Sequence, residues 1–235
     1  MLVLAAGLGG SCGGGEPEPP PVASEALRAQ IVQAVAPQGT IFHAKMQFVS
    51  AAQSSRAELA EVWIDGAQNR ARRHQSVASQ GGKPMVELYI EGRGWIYDPW
   101  PNVVDTTEAP PEMQSMAVQS PAVFVLPYAY ELAMADEWRI LDETPKGGRH
   151  FLVETKRVLD TSDEDQTAGT VLRTIVELDR DTLLPVRENG SLIQPDGQEQ
   201  SAVTVEFDLT EFLSPDSVPQ DLFSPQSVYG LVTPR

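Results

Sequence analysis

The chain has 235 residues, 41% hydrophobic and 21% charged, with 33 Asp and Glu against 17 Lys and Arg, for a formal net charge of −16. That length supports a sizeable core in one domain, and the charge argues against phosphate-contacting nucleic-acid binding and against a basic patch for anionic lipid. A single cysteine excludes an internal disulfide and any zinc site built from cysteine pairs.

That cysteine is informative by position. Residues 1–11, MLVLAAGLGGS, carry no charged side chain and lead through small residues to Cys12, after which comes GGGEPEPPP. The arrangement resembles a bacterial lipoprotein signal, with Leu8-Gly9-Gly10-Ser11 in the place of the lipobox. The resemblance implies that Cys12 is lipidated and becomes the mature N-terminus. It departs from the pattern in lacking a Lys/Arg start and in having Gly9 where Leu is usual. The apolar segment is too short to span a bilayer. The expected organisation is a cleaved signal segment over 1–11, a lipidated tether over 12–22, one domain over 23–225 and a tail over 226–235.

Ala23 to Val35 predicts an amphipathic helix, with Ser24 as N-cap, Glu25 at the positive end and Leu27, Ile31, Ala34 and Val35 as its apolar stripe. Pro37 and Gly39 end it. From Thr40 the period becomes two. Phe42, Ala44, Met46 and Phe48 alternate with Ile41, His43, Lys45 and Gln47, the pattern of a half-buried strand. In 56–65 the alternation blurs, which predicts a strand covered on both faces. Over 69–77, Arg70, Arg72 and His74 share one strand face. That basic stripe reads either as a grip for a ligand headgroup or, more simply, as a solvated face paired with Glu side chains.

Strands follow at 84–91 and 95–97, with Val86, Leu88 and Ile90 on one face of the first, and 106–119 reads as a loop. After it, Ser120 to Trp138, SPAVFVLPYAYELAMADEW, is too apolar for an ordinary connection. Ser120 before Pro121 reads as a helix start and Pro127 as a break, so the segment is expected to be a broken helical lid with greasy surface on nearly every side. The alternative is a core helix kinked at Pro127. Strands resume at 138–143, 149–159, 170–178, 184–194 and 201–209, with Pro195-Asp196-Gly197-Gln198 as a hairpin turn. Asn189-Gly190 reads as a bulge or a second turn. The acidic run 160–166 lacks the arrangement of an EF-hand loop and reads as a solvated tip. Residues 215–235, rich in Pro and Ser, read as irregular surface chain.

About nine to eleven strands in sequence, with one helix before them and helical material in the middle, predict an α+β, mainly β fold: a large curled antiparallel sheet forming an unclosed half-barrel, helices packed in or over its concave face. This order, with EVWID at Glu61 to Asp65, GRGWIYDP at Gly92 to Pro99, ELDRDTLLPVR at Glu177 to Arg187 and Leu222-Phe223 near the end, resembles the periplasmic lipoprotein-carrier superfamily of LolA, LolB, RseB and LppX/LprG. The resemblance implies a concave apolar face that holds acyl chains. Its members ferry lipids or lipoproteins, or sense exposed hydrophobic chains in a signalling complex.

No Gly-x-Ser-x-Gly, His-Glu-x-x-His, P-loop or dinucleotide fingerprint occurs, and His43, His74 and His150 lie on separate predicted strands. The expectation is therefore no enzyme, no cofactor and no metal. Phe42, Met46, Phe48, Leu88, Trp95, Tyr97, Phe124, Leu126 and Tyr130 are the candidate lining of a ligand cavity, chosen on alternation alone. The leading expectation is an extracytoplasmic, membrane-anchored lipoprotein binding a lipid, an acylated protein or another hydrophobic ligand. Two alternatives stand beside it: a regulatory module of the RseB type that binds an anti-sigma factor or other envelope protein, and a structural envelope lipoprotein without ligand.

Overall fold

The computed structural model describes residues 24–50, 57–77, 84–111, 113, 120–141, 148–159 and 169–233. The proposed signal, Cys12, the tether and the acidic run 160–166 lie outside the described residues.

Helix α1, Glu25–Ala34, begins as its sequence dictates: the Ser24 hydroxyl accepts from the Leu27 N–H, Glu25 occupies the first turn, and Leu27, Ile31 and Val32 are buried. Strands β1 (Ile41–Ser50), β2 (Ala57–Asp65), β3 (Arg70–Val77), β4 (Met85–Ile90), β5 (Arg93–Asp98) and β6 (Val103–Glu108) then run as an antiparallel meander. A 3-10 turn, Pro121–Phe124, and helix α2, Pro127–Met134, interrupt it. Strands β7 (Glu137–Ile140), β8 (His150–Val158), β9 (Val171–Asp179), β10 (Pro185–Ile193) and β11 (Glu199–Leu213) complete one sheet, and helix α3, Pro225–Tyr229, follows.

The sheet has eleven strands in the order β6-β5-β4-β3-β2-β1-β11-β10-β9-β8-β7. The first strand of the chain is thus central, paired on one side with β2 and on the other with the last strand. The two edges, β6 and β7, do not pair with each other, so the sheet is a half-barrel rather than a closed one. Asn189-Gly190 resolves as a bulge: the pairing of β10 with β11 slips between Gly190 and Ser191. Strand β6 lies where a loop was expected, because VVDTTE has no alternation to betray it and its side chains are mostly exposed.

Each face of the sheet carries a separate core. The inner face packs Phe42, Ala44, Met46, Val62, Ile64, Phe151, Val153, Val176, Leu178 and Val205 against α1 and the 120–134 segment. The outer face of β3–β6 packs Val86, Leu88 and Tyr97 against Leu222, Phe223 and Val228 of the C-terminal segment. Residues 215–233 are therefore less irregular than their composition suggests. Val228 is fully buried, and α3 carries it into the outer core.

The basic stripe explains the docking of that segment. Arg72, only 5% exposed, donates through Nη1 to the Leu222 carbonyl and the Ser227 hydroxyl, and through Nε to His74 Nε2. Arg70 pairs with Asp65 at 2.8 Å and its guanidinium lies 4.5 Å from the centre of the Phe223 ring. Arg72 is buried, Arg70 and His74 are half-buried, and the stripe is not free for a headgroup. The chain's own C-terminal segment covers it.

Candidate functional site

The inner face is roofed by the broken helical segment that the sequence predicts. Ser120 accepts from the Ala122 N–H, the 3-10 turn runs to Phe124, and Pro127 is the first residue of α2 rather than a kink within one helix. A proline is well placed there, since its missing N–H would lack an intrahelical partner anyway. Among the described residues no backbone hydrogen bond joins 120–134 to the sheet; the amides of Val125, Leu126, Ala129 and Tyr130 are satisfied within the segment. The roof is fastened by side chains.

Those fastenings fall in three places. Near its start, Phe124 stacks on Tyr89 of β4 with ring centres 4.5 Å apart and planes 7° off parallel. Gly94 on the adjacent strand makes room for this stack: a Cβ there would come within 2.9 Å of the Tyr89 ring and of Thr107 Cγ2. Near its middle, Tyr128 meets Phe207 of β11 edge to face at 6.2 Å, and Arg157 of β8 grips Glu131 with two bonds of 2.9 and 2.8 Å while lying over the Tyr130 ring. At its end, Arg28 of α1 donates to the carbonyl oxygens of Leu132 at 2.7 Å, Ala133 at 2.8 Å and Ala135 at 3.5 Å. Helix α2 has no basic residue of its own in its last turn, so Arg28 supplies both the hydrogen bonds and the positive charge that a helix C-terminus favours.

Of the nine candidate lining residues, six come together on the inner side. Phe42 and Met46 are buried on β1 and Phe48 packs beside them, while Phe124 and Leu126 are buried in the roof and Tyr130 flanks it. Leu88, Trp95 and Tyr97 belong instead to the outer core, where β4 and β5 meet the C-terminal segment. On β4 it is Glu87 and Tyr89 that face inward, with Glu87 paired to Arg73 at 2.7 Å. Alternation reveals that a face is buried without revealing what buries it, and here the covering chain lies more than a hundred residues away.

Glu188 escapes the sequence reading, and Tyr128 counts there as part of the apolar lid but not as cavity lining. Glu188 on β10 is 3% exposed and Tyr128 in α2 is 1% exposed; among the described residues the Glu188 Oε2 and the Tyr128 hydroxyl have no hydrogen-bond partner. Burial pushes the Glu188 carboxyl up to about 8, and the charge of Glu131 adds to the shift, with the Tyr128 backbone N–H pulling the other way. The Tyr128 phenol is likewise raised by burial and by Glu188. In sequence Glu188 sits among Arg187 and Asn189 and reads as one more polar strand residue.

Away from the roof, a surface groove of about 450 Å³ is lined by Asp136, Glu137, Trp138, Arg139, Glu154 and Lys156 at the β7 edge. Arg139 and Lys156 pair with Glu154 there. Burial raises the Glu154 carboxyl, but bonds of 2.6 Å from Arg173 and Arg139 outweigh it and hold the group below its ordinary value. On the outer face, His43 lies between Glu61 and Glu211 at 2.8 Å each and stacks on Trp63, whose other side meets His74. His150 pairs with Glu177. Among the described residues no cluster of His, Cys, Asp and Glu has the arrangement of a metal site, and no helix is long and apolar enough to cross a membrane.

The class of protein defined by this geometry is an open antiparallel half-barrel with a helical roof over its inner face. No family model and no curated protein matches the chain. Among solved structures it is similar to an uncharacterized conserved protein from Thermus thermophilus, at 10% identity over 85% of this chain and 97% of that one, with a TM-score of 0.48. It is also similar to a LolA superfamily protein from Nitrosomonas europaea (8% identity, 87% and 98% covered, TM-score 0.40) and to the lipoprotein LppX of Mycobacterium tuberculosis (11% identity, 84% and 100% covered, TM-score 0.40).

Proposed function

We propose that this chain is an extracytoplasmic lipoprotein, tethered through Cys12, that holds a lipid, an acylated protein or another long apolar ligand between the sheet and its helical roof. One observation carries the reading. Among the described residues no backbone hydrogen bond ties the roof to the broad apolar face beneath it, so it can lift while the sheet stays paired. Lifting exposes Val123, Phe124, Val125, Leu126 and Leu132, all buried in the closed form, at roughly 1.5–3 kcal/mol for each. A guest that contributes roughly 0.8 kcal/mol per buried methylene must therefore bring on the order of a dozen methylenes to compensate. Long acyl chains meet that requirement and small metabolites do not. The net charge of −16 leaves covalent lipid, rather than a basic surface, as the means of attachment.

Native mass spectrometry of protein lacking residues 1–12, purified from bacterial cells and then titrated with fluorescent fatty-acyl probes of increasing length, tests the ligand reading. Bound acyl species, or probe uptake that rises steeply above about ten carbons, are expected from the area balance. A consistently empty protein that takes up no probe refutes it. Labelled palmitate incorporated into the wild type and lost in Cys12→Ala tests the anchor, and equal incorporation in both refutes it.

A further inference from the structure

Glu188 occupies the inner face of β10 between Val176 of β9 and Val205 of β11, both buried and apolar. Above it lies the first turn of α2, whose N-cap residue, Leu126, has no side chain able to satisfy the helix's free amides. Helix α2 reaches the strands on either side, Tyr128 meeting Phe207 of β11 and Glu131 meeting Arg157 of β8, which sets it over the inner face around β10. The sheet thus sets beneath the roof helix a buried acidic side chain whose Oε2 has no hydrogen-bond partner among the described residues. The titratable and charged groups facing it are few. From α2 come the Tyr128 hydroxyl and the Glu131 carboxylate, and from β8 comes Arg157, whose guanidinium is committed to Glu131. On the same face β9 adds the buried Thr174, and β11 adds Val205 and Phe207. Among the described residues no cation pairs with Glu188.

We propose that Glu188 is a proton-controlled latch on the roof: with a neutral carboxyl it lets α2 seat on the sheet, and when it loses its proton α2 is driven off. The proposal rests on the reading of 120–134 as a movable roof, but it concerns motion in the ligand-free protein. With α2 seated the carboxyl holds its proton up to about pH 8, and once water reaches it the ordinary value of 4.5 returns. Ionisation between those limits occurs only in the lifted form. Each pH unit in that window therefore multiplies the ratio of lifted to seated molecules about tenfold, by linkage of one proton to the opening.

Hydrogen exchange on the full-length, ligand-free protein between pH 5 and 8, corrected for intrinsic exchange rates, reads this directly. Protection of the Ala129–Leu132 amides is expected to fall about tenfold per pH unit while that of central β1 stays level. In Glu188→Gln, which keeps the size of the side chain but cannot ionise, α2 protection should be flat with pH. A flat wild-type profile, or an equal slope in both proteins, overturns the latch. If the Gln variant does not fold, a carbon-13 titration of the wild-type Glu188 carboxyl decides. A midpoint well above 4.5 supports the latch and an ordinary midpoint sinks it. Acyl-probe binding plays no part in either readout, so a protein that binds no lipid can still possess the latch, and a lipid binder can lack it.

Discussion

Removal of the Arg28 side-chain charge is the sharpest perturbation of the roof. The Arg28 guanidinium bridges α1 to three carbonyls at the end of α2, with bonds of 2.7, 2.8 and 3.5 Å, and its side chain is only 20% exposed. A hydrogen bond involving a charged group contributes roughly 1.5–3 kcal/mol when buried. The two short bonds share one guanidinium, the third is marginal, and water can partly replace them, so the realistic total for Arg28→Met is about 2 kcal/mol, including the loss of positive charge at a helix C-terminus. Met keeps the apolar stem and so separates charge from packing. The opening of α2 should then become roughly thirty-fold more frequent at that cost, while global stability in urea falls by no more than the same amount. Amide exchange across 127–134 measures the first and equilibrium unfolding the second. If α2 exchange in Arg28→Met matches the wild type within a factor of two, the clasp is decorative and the view of the roof as side-chain-fastened is wrong.

Other outcomes follow from the same contacts. Arg72→Met should free the C-terminal segment, leaving the Leu222 carbonyl without its donor at a cost of about 2–3 kcal/mol; limited proteolysis near 221–230 should become fast, and unchanged resistance would contradict the docking. Gly66→Ala should be among the most disruptive single substitutions, because a Cβ there would lie 2.1 Å from the Ala36 backbone carbonyl oxygen, against 2.9 Å from side-chain atoms of Tyr89 and Thr107 at Gly94. A loss of about 3 kcal/mol or more is expected for the first and less for the second, and the reverse order in urea melts would refute the ranking. Burial lowers His74 to about 4, with Arg72 adding to the shift and Glu61 opposing it. The unfolded chain therefore binds the extra proton, and stability contributed above pH 6.5 is lost as pH falls toward 4, by at most about 1.4 kcal/mol per unit. Glu188 has the opposite sign, since its folded form keeps the proton and its cost grows from 4.5 to 8. The two slopes oppose each other over most of the acid range, so each must be read as the difference between wild type and its own variant, His74→Gln or Glu188→Gln. A pH-independent difference for His74→Gln would remove the assigned burial effect.

The sequence was most readable where one residue has one job. Ser24 and Ser120 announced helix starts, and both hydroxyls accept the expected amide. The alternation of Phe42, Ala44, Met46 and Phe48 announced a strand with one apolar face, and the run around Pro127 announced a broken roof. Legibility failed where a residue's meaning depends on a distant partner. Leu88, Trp95 and Tyr97 look like Phe42 or Met46 in pattern, yet they meet Leu222, Phe223 and Val228 instead of the roof. Arg72 in a run of basic residues suggests solvent, whereas a carbonyl 150 positions away draws it inside. Glu188 was invisible for the same reason: acidic side chains on strands are nearly always hydrated, and only the approach of α2 makes this one an exception.

The two halves of the sheet are finished differently on their backs. Behind β3–β6 lies an apolar strap formed by the C-terminal segment, with Arg72 tied into it. Behind β7–β9 there is instead a web of ions, Arg139 and Arg173 converging on Glu154 with Glu199 beyond. A plate splinted along one wing bends along the other, so the mouth of the half-barrel should gape by outward flexing of the β7–β9 wing, hinged near the central β1. Distances between spin labels on β7 and β5 would widen with an added acyl guest if so, and the wing carrying the strap would hold its shape against β1.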